Sequence, residues 1–402
     1  MAKQAEPVTE AKPTQKVILV SSTKTISILS EIDGTKKLLV NGVEPKFEDP
    51  QPNDAEKEKI GHKWKRDFYS DFLKSHFENL IIITGAGSSV GWGGKTMEQL
   101  WDEVETKLTK EGLQQFITDI GFLNLTKDLE ALLSRANLAK EFLAPEKKIA
   151  ETIKICEKVI QAHCSFELPS NAPHSEFLNK ITNRKLKDPR VKLFTLNYDT
   201  LFEQAAVSGN FTVMDGFSFS IPRTLSGRNF DFDIVYREKS RIKEEHSFVP
   251  RVFHLYKPHG SINWELDKDK NTIVIKENAE NPLMIYPKDS KYENSYEQPF
   301  FEMMSRFQQN LRNENVLLIC IGFSLNDKHI VTAIKEAVKQ NPSFRLLIVS
   351  RTIRDNDIFN PFVEWAKTKN NVIIVSEEFK EFTQFYPTSK IYSETSDNFE
   401  AK

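Results

Sequence analysis

Cysteine is scarce in this chain, with only Cys156, Cys164 and Cys320 among 402 residues, and no C-x-x-C pair occurs. That excludes a disulfide framework and a four-cysteine zinc site, so no structural zinc is expected, and it suits a reducing cytoplasm. Long apolar runs are missing as well. None approaches the ~20 residues of a membrane span, so no membrane association is expected. Neither sign of charge dominates: 55 Lys and Arg stand against 57 Asp and Glu. The net charge of −2 gives no general pull toward nucleic acid or lipid. Internal repeats are absent. Residues 1–16 lack an apolar signal core and read as a disordered tail, and residues 386–402 read as a second polar tail.

What remains is an ordinary globular composition, 39% hydrophobic and 28% charged. The length fits one large α/β domain with an insertion, or two ordinary domains. Residues 16–43 alternate β-branched and polar side chains around the turn signal Ile32-Asp33-Gly34-Thr35, which predicts a small hairpin or three-stranded patch. Such a patch is too small to stand alone and must pack on the main domain or on another subunit. Prolines at 45, 50 and 52 mark a linker. Residues 58–77 read as an amphipathic helix with Ile60, Trp64, Phe68 and Phe72 on one face.

The chain is organised around residues 79–100, where an apolar run (80–83) meets a glycine turn and then a helix start. A buried parallel strand feeding a helix through such a turn aims backbone N–H groups and a helix dipole at one point, which suits a phosphate. Helical patterns then fill residues 97–190. Strand signals return at 191–196, 252–256, 316–321, 344–349 and 372–375, with helical segments between them. Short continuous apolar runs of this kind are strands buried on both faces. The expected fold is α/β: a Rossmann-like parallel sheet with helices on both faces, a helical insertion after the first glycine loop and a small N-terminal β extension. The expected boundaries are 1–57 for tail, hairpin and linker, 58–385 for the main domain, and 386–402 for the C-terminal tail.

In open parallel sheets, ligands bind beyond the carboxyl ends of the strands. Four strand ends carry polar signatures. The first is Thr84-Gly85-Ala86-Gly87-Ser88-Ser89, which departs from G-x-G-x-x-G at Val90. A P-loop reading of Gly94-Lys95-Thr96 meets Ser89 where the first glycine belongs, and a plain tight turn is the structural alternative. The second is Thr195-Leu196-Asn197-Tyr198-Asp199, either cleft-facing or an Asx turn with Asp199 as helix N-cap. The third, Lys257-Pro258-His259-Gly260-Ser261-Ile262-Asn263-Trp264, offers an imidazole beside a glycine that permits close approach of backbone or ligand. The fourth, Gly322-Phe323-Ser324-Leu325-Asn326-Asp327, could hold a phosphate or ribose, or cap a helix at Asn326 or Asp327.

In this order the four resemble the NAD site of the sirtuin superfamily: Gly85-Ala86-Gly87 with Ser89, Thr195 with Asn197 and Asp199, His259-Gly260, and Gly322 with Ser324. The G-x-P-D-F-R segment of sirtuin deacylases is replaced by Gly91-Trp92-Gly93-Gly94-Lys95-Thr96, and their zinc cysteines are missing. The wording around 195–203 and 257–264 is similar to sirtuin-like effectors of bacterial anti-phage defence, and the chain's size to the sirtuin subunit partnered with a HerA-type ATPase. The resemblance implies NAD as substrate, cleaved between nicotinamide and ribose. It also implies a homo-oligomer, a HerA-type ATPase partner, and nucleic acid only through that partner. It assigns pyrophosphate to Thr84, Gly85, Ala86, Gly87, Ser88 and Ser89 with the following helix N-terminus. Asn197 would orient the attacking water or stabilise developing charge. His259 would bond the ribose hydroxyls or act as base. Asp199, with Thr195, would fix that geometry or touch ribose. Gly322, Phe323 and Ser324 would line the adenosine side, and Ser350 would meet the adenine ribose. A sirtuin-like deacylase or ADP-ribosyltransferase, and an NAD-binding scaffold or nuclease-type subunit acting only with its partner, are the alternatives.

Overall fold

A computed structural model describes residues 13–123, 127–143, 148–236, 248–285 and 299–388. Of the tails expected at 1–16 and 386–402, residues 1–12 and 389–402 lie outside the described residues, as do the ends of expected helices at 125–126, 147 and 296–298; β1 begins inside the first tail, at Thr14, and Tyr386 of the second is buried. In chain order come β1 (Thr14–Val20), β2 (Thr25–Ser30), β3 (Lys36–Val40), α1 (Asp54–Lys74) and β4 (Asn79–Thr84). Five helices follow: α2 (Met97–Leu108), α3 (Lys110–Asp119), α4 (Leu129–Ala139), α5 (Ile149–Cys164) and α6 (His174–Thr182). Then come β5 (Lys192–Thr195), α7 (Leu201–Ser208), β6 (Thr212–Met214) and β7 (Val252–Tyr256), with short strands β8 (Gly260–Ser261), β9 (Trp264–Asp267), β10 (Thr272–Ile275) and β11 (Leu283–Met284). The last stretch holds α8 (Phe300–Leu311), β12 (Val316–Ile321), α9 (Lys328–Gln340), β13 (Arg345–Ser350), α10 (Asn360–Thr368), β14 (Val372–Ser376) and α11 (Phe379–Phe385).

These elements fall into two compact units, Met1–Ser75 with Leu347–Glu377, and His76–Leu346 with Glu378–Lys402. In the first, β1, β2 and β3 form an antiparallel meander, and β1 also pairs antiparallel with β14 through Leu19↔Val375. The turn between β2 and β3 is held by Asp33, whose Oδ1 accepts from Thr35 N at 2.9 Å. Helix α1 starts at a capping box made by Asn53 and Glu56. Its buried face is Gly61, Lys65, Tyr69 and Leu73, whereas Ile60, Trp64, Phe68 and Phe72 are half-buried. The missing side chain of Gly61 lets the helix approach Leu38 and Ile18. The Lys65 ammonium is fully buried because it donates to Ser376 O at 2.7 Å and pairs with the equally buried Glu377 at 3.2 Å. Arg66 pairs with the same carboxylate at 2.9 Å.

In the second unit β12, β4, β5, β7 and β6 lie side by side in that order, every neighbouring pair parallel. All residues of β12 and β7 are buried, on both alternating faces, as expected for a sheet covered on each side. Register aligns Ile321 with Thr84 and Thr84 with Thr195, so the carboxyl ends of the central strands form one edge. Helices α2–α6 occupy the insertion. Helix α2 ends at Thr109 (φ 64°), whose hydroxyl caps the next helix, α3, by accepting from Gly112 N. The insertion has its own core, built on Leu100, Trp101, Val104, Leu132 and Ile153. That core also takes in Tyr198 from the loop after β5, Ile262 from the turn after β8 and Met284 from β11.

Candidate active site

Strand β4 ends in Thr84, whose buried hydroxyl has no hydrogen-bond partner among the described residues. The chain then turns through a short 3₁₀ segment at Ala86–Ser88. Helix α2 does not follow directly: residues 90–96 intervene, and Thr96 and Gln99 close a capping box at its start. The amides of Gly85, Gly87, Ser88, Ser89 and Val90 already donate to carbonyls, of Ile321, Gly322, Gly85, Ala86 and Ala86 respectively. Ala86 supplies the one amide of residues 85–90 with no such bond among the described residues. The glycines here serve backbone-to-backbone contact. A Cβ on Gly87 would stand 2.5 Å from Gly322 Cα, and Gly322 itself has φ +58°.

The second strand end is tied to this loop through Asn197. Its Nδ2 lies 2.8 Å from Ser89 Oγ, 3.1 Å from Gly85 O and 3.2 Å from Ser88 Oγ. A carbonyl only accepts, so the amide's NH₂ faces the loop and its Oδ1 points away from it. Thr195 Oγ1 accepts from Asn197 N at 3.3 Å. Ser89 in turn donates to Asp199 Oδ2 at 2.7 Å, while Asp199 Oδ1 accepts from Leu201 N at 3.2 Å. Both carboxylate oxygens of Asp199 therefore hold the protein together. Burial raises its pKa, opposed by the nearby Lys257 charge and the Ser89 hydrogen bond.

The third strand end reaches the second through Lys257. This ammonium is buried and donates to Asp199 O (2.5 Å), Ser261 Oγ (2.7 Å) and Glu203 Oε1 (2.9 Å). Gly260 (φ +84°) lets β11 pass so near that a Cβ would collide with Leu283 O, so backbone rather than ligand occupies the approach that the glycine permits. His259 is 4% exposed, and its Nε2 lies 3.0 Å from Asp327 Oδ2. The other oxygen of Asp327 caps α9 by accepting from His329 N and Ile330 N at 2.9 and 3.1 Å. Burial pushes the Asp327 carboxyl up, but the His259 hydrogen bond and charge, with the Ile330 amide, bring it below its ordinary value.

The contacts thus close a ring through four strand ends: glycine loop to Asn197 and Asp199, Asp199 to Lys257, the 257–261 loop through His259 to Asp327, and Gly322 back to Gly87. Phe323 is buried in the fourth loop and Ser324 is exposed. Ser350 ends β13 in the other unit, where its hydroxyl donates to Thr352 O at 3.0 Å. Sequence reasoning gave no role to Lys257 and read Asp327 only as a helix cap. Lys257 stood inside a quoted motif, and a lysine two residues before the histidine was the signal available. It also passed over His174, which is fully buried between Phe202 and Phe379 (ring centroids 5.1 and 5.0 Å) and whose pKa burial lowers to about 4. Among the described residues no group of three or more His, Cys, Asp or Glu could hold a metal ion, and no helix is long and apolar enough to cross a membrane.

Fold and ring together define an open α/β protein with a polar site at the carboxyl edge of its parallel strands. Residues 191–374 match the family model described as a SIR2-like domain, a span just under half of the 402 residues. The match includes the loops of Asn197, His259 and Gly322, and the sirtuin resemblance read from the motifs is supported over that span. No curated protein matches the chain. Among solved structures, a Sir2 homologue mutant complexed with ADP-ribose aligns over 83% of this chain and 98% of its own, at 12% identity and a TM-score of 0.42. A Sir2 homolog–NAD complex aligns over 79% and 91%, at 13% identity and a TM-score of 0.39. A structure described as the structural basis of sirtuin substrate affinity aligns over 79% and 96%, at 15% identity and a TM-score of 0.34.

Proposed function

We propose that this chain is an NAD⁺ hydrolase that cleaves the nicotinamide–ribose bond to give nicotinamide and ADP-ribose. The observation that carries the proposal is the ring of strand-end contacts, which sets the Asn197 amide against the glycine loop and braces the His259 imidazole. The SIR2-like match over 191–374 supports an NAD-related activity, and the Thr84 hydroxyl, without a hydrogen-bond partner among the described residues, offers a ligand a buried polar group.

Nicotinamide leaves as a neutral base while the ribose gains oxocarbenium character, so the site needs placement more than covalent help. Asn197, its NH₂ engaged by the loop, offers Oδ1 to a water on the open face of the anomeric carbon. That water's oxygen bonds to the anomeric carbon as the C–N bond breaks with its electron pair toward nicotinamide. The water's proton passes to His259, which otherwise bonds the ribose hydroxyls. Thr84, Gly85, Ala86, Gly87, Ser88 and Ser89 meet the pyrophosphate, chiefly through the Ala86 amide and the Thr84 hydroxyl. Gly322, Phe323 and Ser324 face the adenosine half, with Thr195 and Asp199 bracing the ribose side.

The physiological role in this proposal is anti-phage defence by NAD depletion in the cytoplasm, gated by homo-oligomer assembly or a HerA-type ATPase partner. A gate is supported by the burial of Tyr198, the residue between Asn197 and Asp199, in the core of the helical insertion. The test is to incubate the full chain with NAD, alone and with the ATPase, and to measure nicotinamide and ADP-ribose. Equal amounts of both are expected. Asn197→Ala and His259→Ala should each lower release by about 100-fold or more while remaining folded. Full activity in either variant removes that residue from the mechanism, and failure to bind NAD ends the assignment.

A further inference from the structure

We infer that Asp327 is a positioning residue that holds His259 in its Nε2–H tautomer, leaving Nδ1 as the basic nitrogen. Three observations carry this. Asp327 Oδ2 lies 3.0 Å from His259 Nε2, and both side chains are largely buried, 7% and 5% exposed. Its Oδ1 is engaged by the His329 and Ile330 amides, so the carboxylate cannot swing away without uncapping α9. Those amides and the imidazole all favour the charged carboxylate, which only accepts. A neutral imidazole facing a fixed acceptor places its proton on the facing nitrogen, and the lone pair goes to the other. The ring's orientation is then set by a helix start rather than by a loop.

This inference rests on the hydrolase reading for its consequence, though not for its geometry. In the cleavage step the proton leaving water travels to Nδ1, and Asp327 stabilises the imidazolium that forms without itself taking the proton. Asparagine at 327 separates this role from the structural one. Its Oδ1 still caps α9, but its NH₂ faces the ring, so Nε2 must become the acceptor and the proton must move to Nδ1.

The test uses the full chain labelled with ¹⁵N-histidine, the His259 signal being assigned by its loss in His259→Gln. The wild type should show the Nε2–H pattern, and Asp327→Asn the Nδ1–H pattern. kcat for nicotinamide release should fall by about 100-fold or more, with KM changed much less. Asp327→Ser, which caps the helix but is too short to reach the ring, should leave a mixture of tautomers and serves if the Asn variant fails to fold. An unchanged His259 signal in the folded variants overturns the inference, as does wild-type kcat in Asp327→Asn. A wild-type chain that releases no nicotinamide, while the tautomer switches as expected, ends the hydrolase reading and leaves this one standing.

Discussion

At the scale of single residues, the site is held by charges that have left water. Lys257 is the clearest case: it links the loop of Asn197 to the loop of His259, yet neither side chain touches it. Replacing it with Met would strand the Asp199 carbonyl and Ser261 hydroxyl and leave Glu203 uncompensated. Breaking a buried ion pair typically costs 3–5 kcal/mol, and the 26% exposure of Glu203 points to the lower end, about 3 kcal/mol. Urea unfolding of Lys257→Met should read that loss, and an unchanged midpoint would show that the ammonium is dispensable. The sequence made the positions of Asn197 and His259 legible because both follow apolar runs that end a strand. It could not show that Asp327 has two duties, since the second joins residues 68 apart in the chain. Nor could it show why Lys65 is buried, since its carboxylate partner lies 312 positions away (377 − 65 = 312).

At the scale of elements, the strands of the parallel sheet were readable almost to the residue, because continuous burial leaves an unbroken apolar run; the exception is β6, three residues long and only partly buried, which was missed. Helices were less so. The apolar letters of α1 favoured Ile60, Trp64, Phe68 and Phe72, whereas the face beside Gly61 is the buried one. Close approach and an ion pair outweighed side-chain hydrophobicity there. Short antiparallel pieces such as β8–β11 were missed, being only two to four residues long. The glycine loop lies at the strand end where the sequence put it, and its glycines also make room for another backbone. Gly87→Ala would push a methyl to within 2.5 Å of Gly322 Cα, where no side chain can rotate away. We expect a destabilisation of about 1–3 kcal/mol by thermal or denaturant melting. A variant as stable as wild type would mean that the two loops can separate freely.

At the scale of the molecule, the N-terminal strands belong to a unit completed by residues more than 300 positions later. β1 covers β14 through Leu19↔Val375 and Val20↔Ile374, so removing residues 1–45 would bare a row of unpaired backbone groups along β14. Exposed edges of this kind recruit other strands. The truncated chain should therefore elute as aggregate on size exclusion, where the intact chain gives a defined species. A monodisperse truncated chain would show that the meander is an accessory. This pairing was out of reach of the sequence, because an isolated hairpin carries no mark of which strand it will join.

The pressed glycines at 87 and 322 carry one more consequence. Because neither backbone has anything flexible at the point of contact, the segment after β4 and the segment after β12 are geared together like meshed teeth. On the hydrolase proposal, any motion that admits a dinucleotide would turn both at once, and with the second would go Asp327, the anchor of the imidazole. Entry of substrate and alignment of the catalyst would then be a single event.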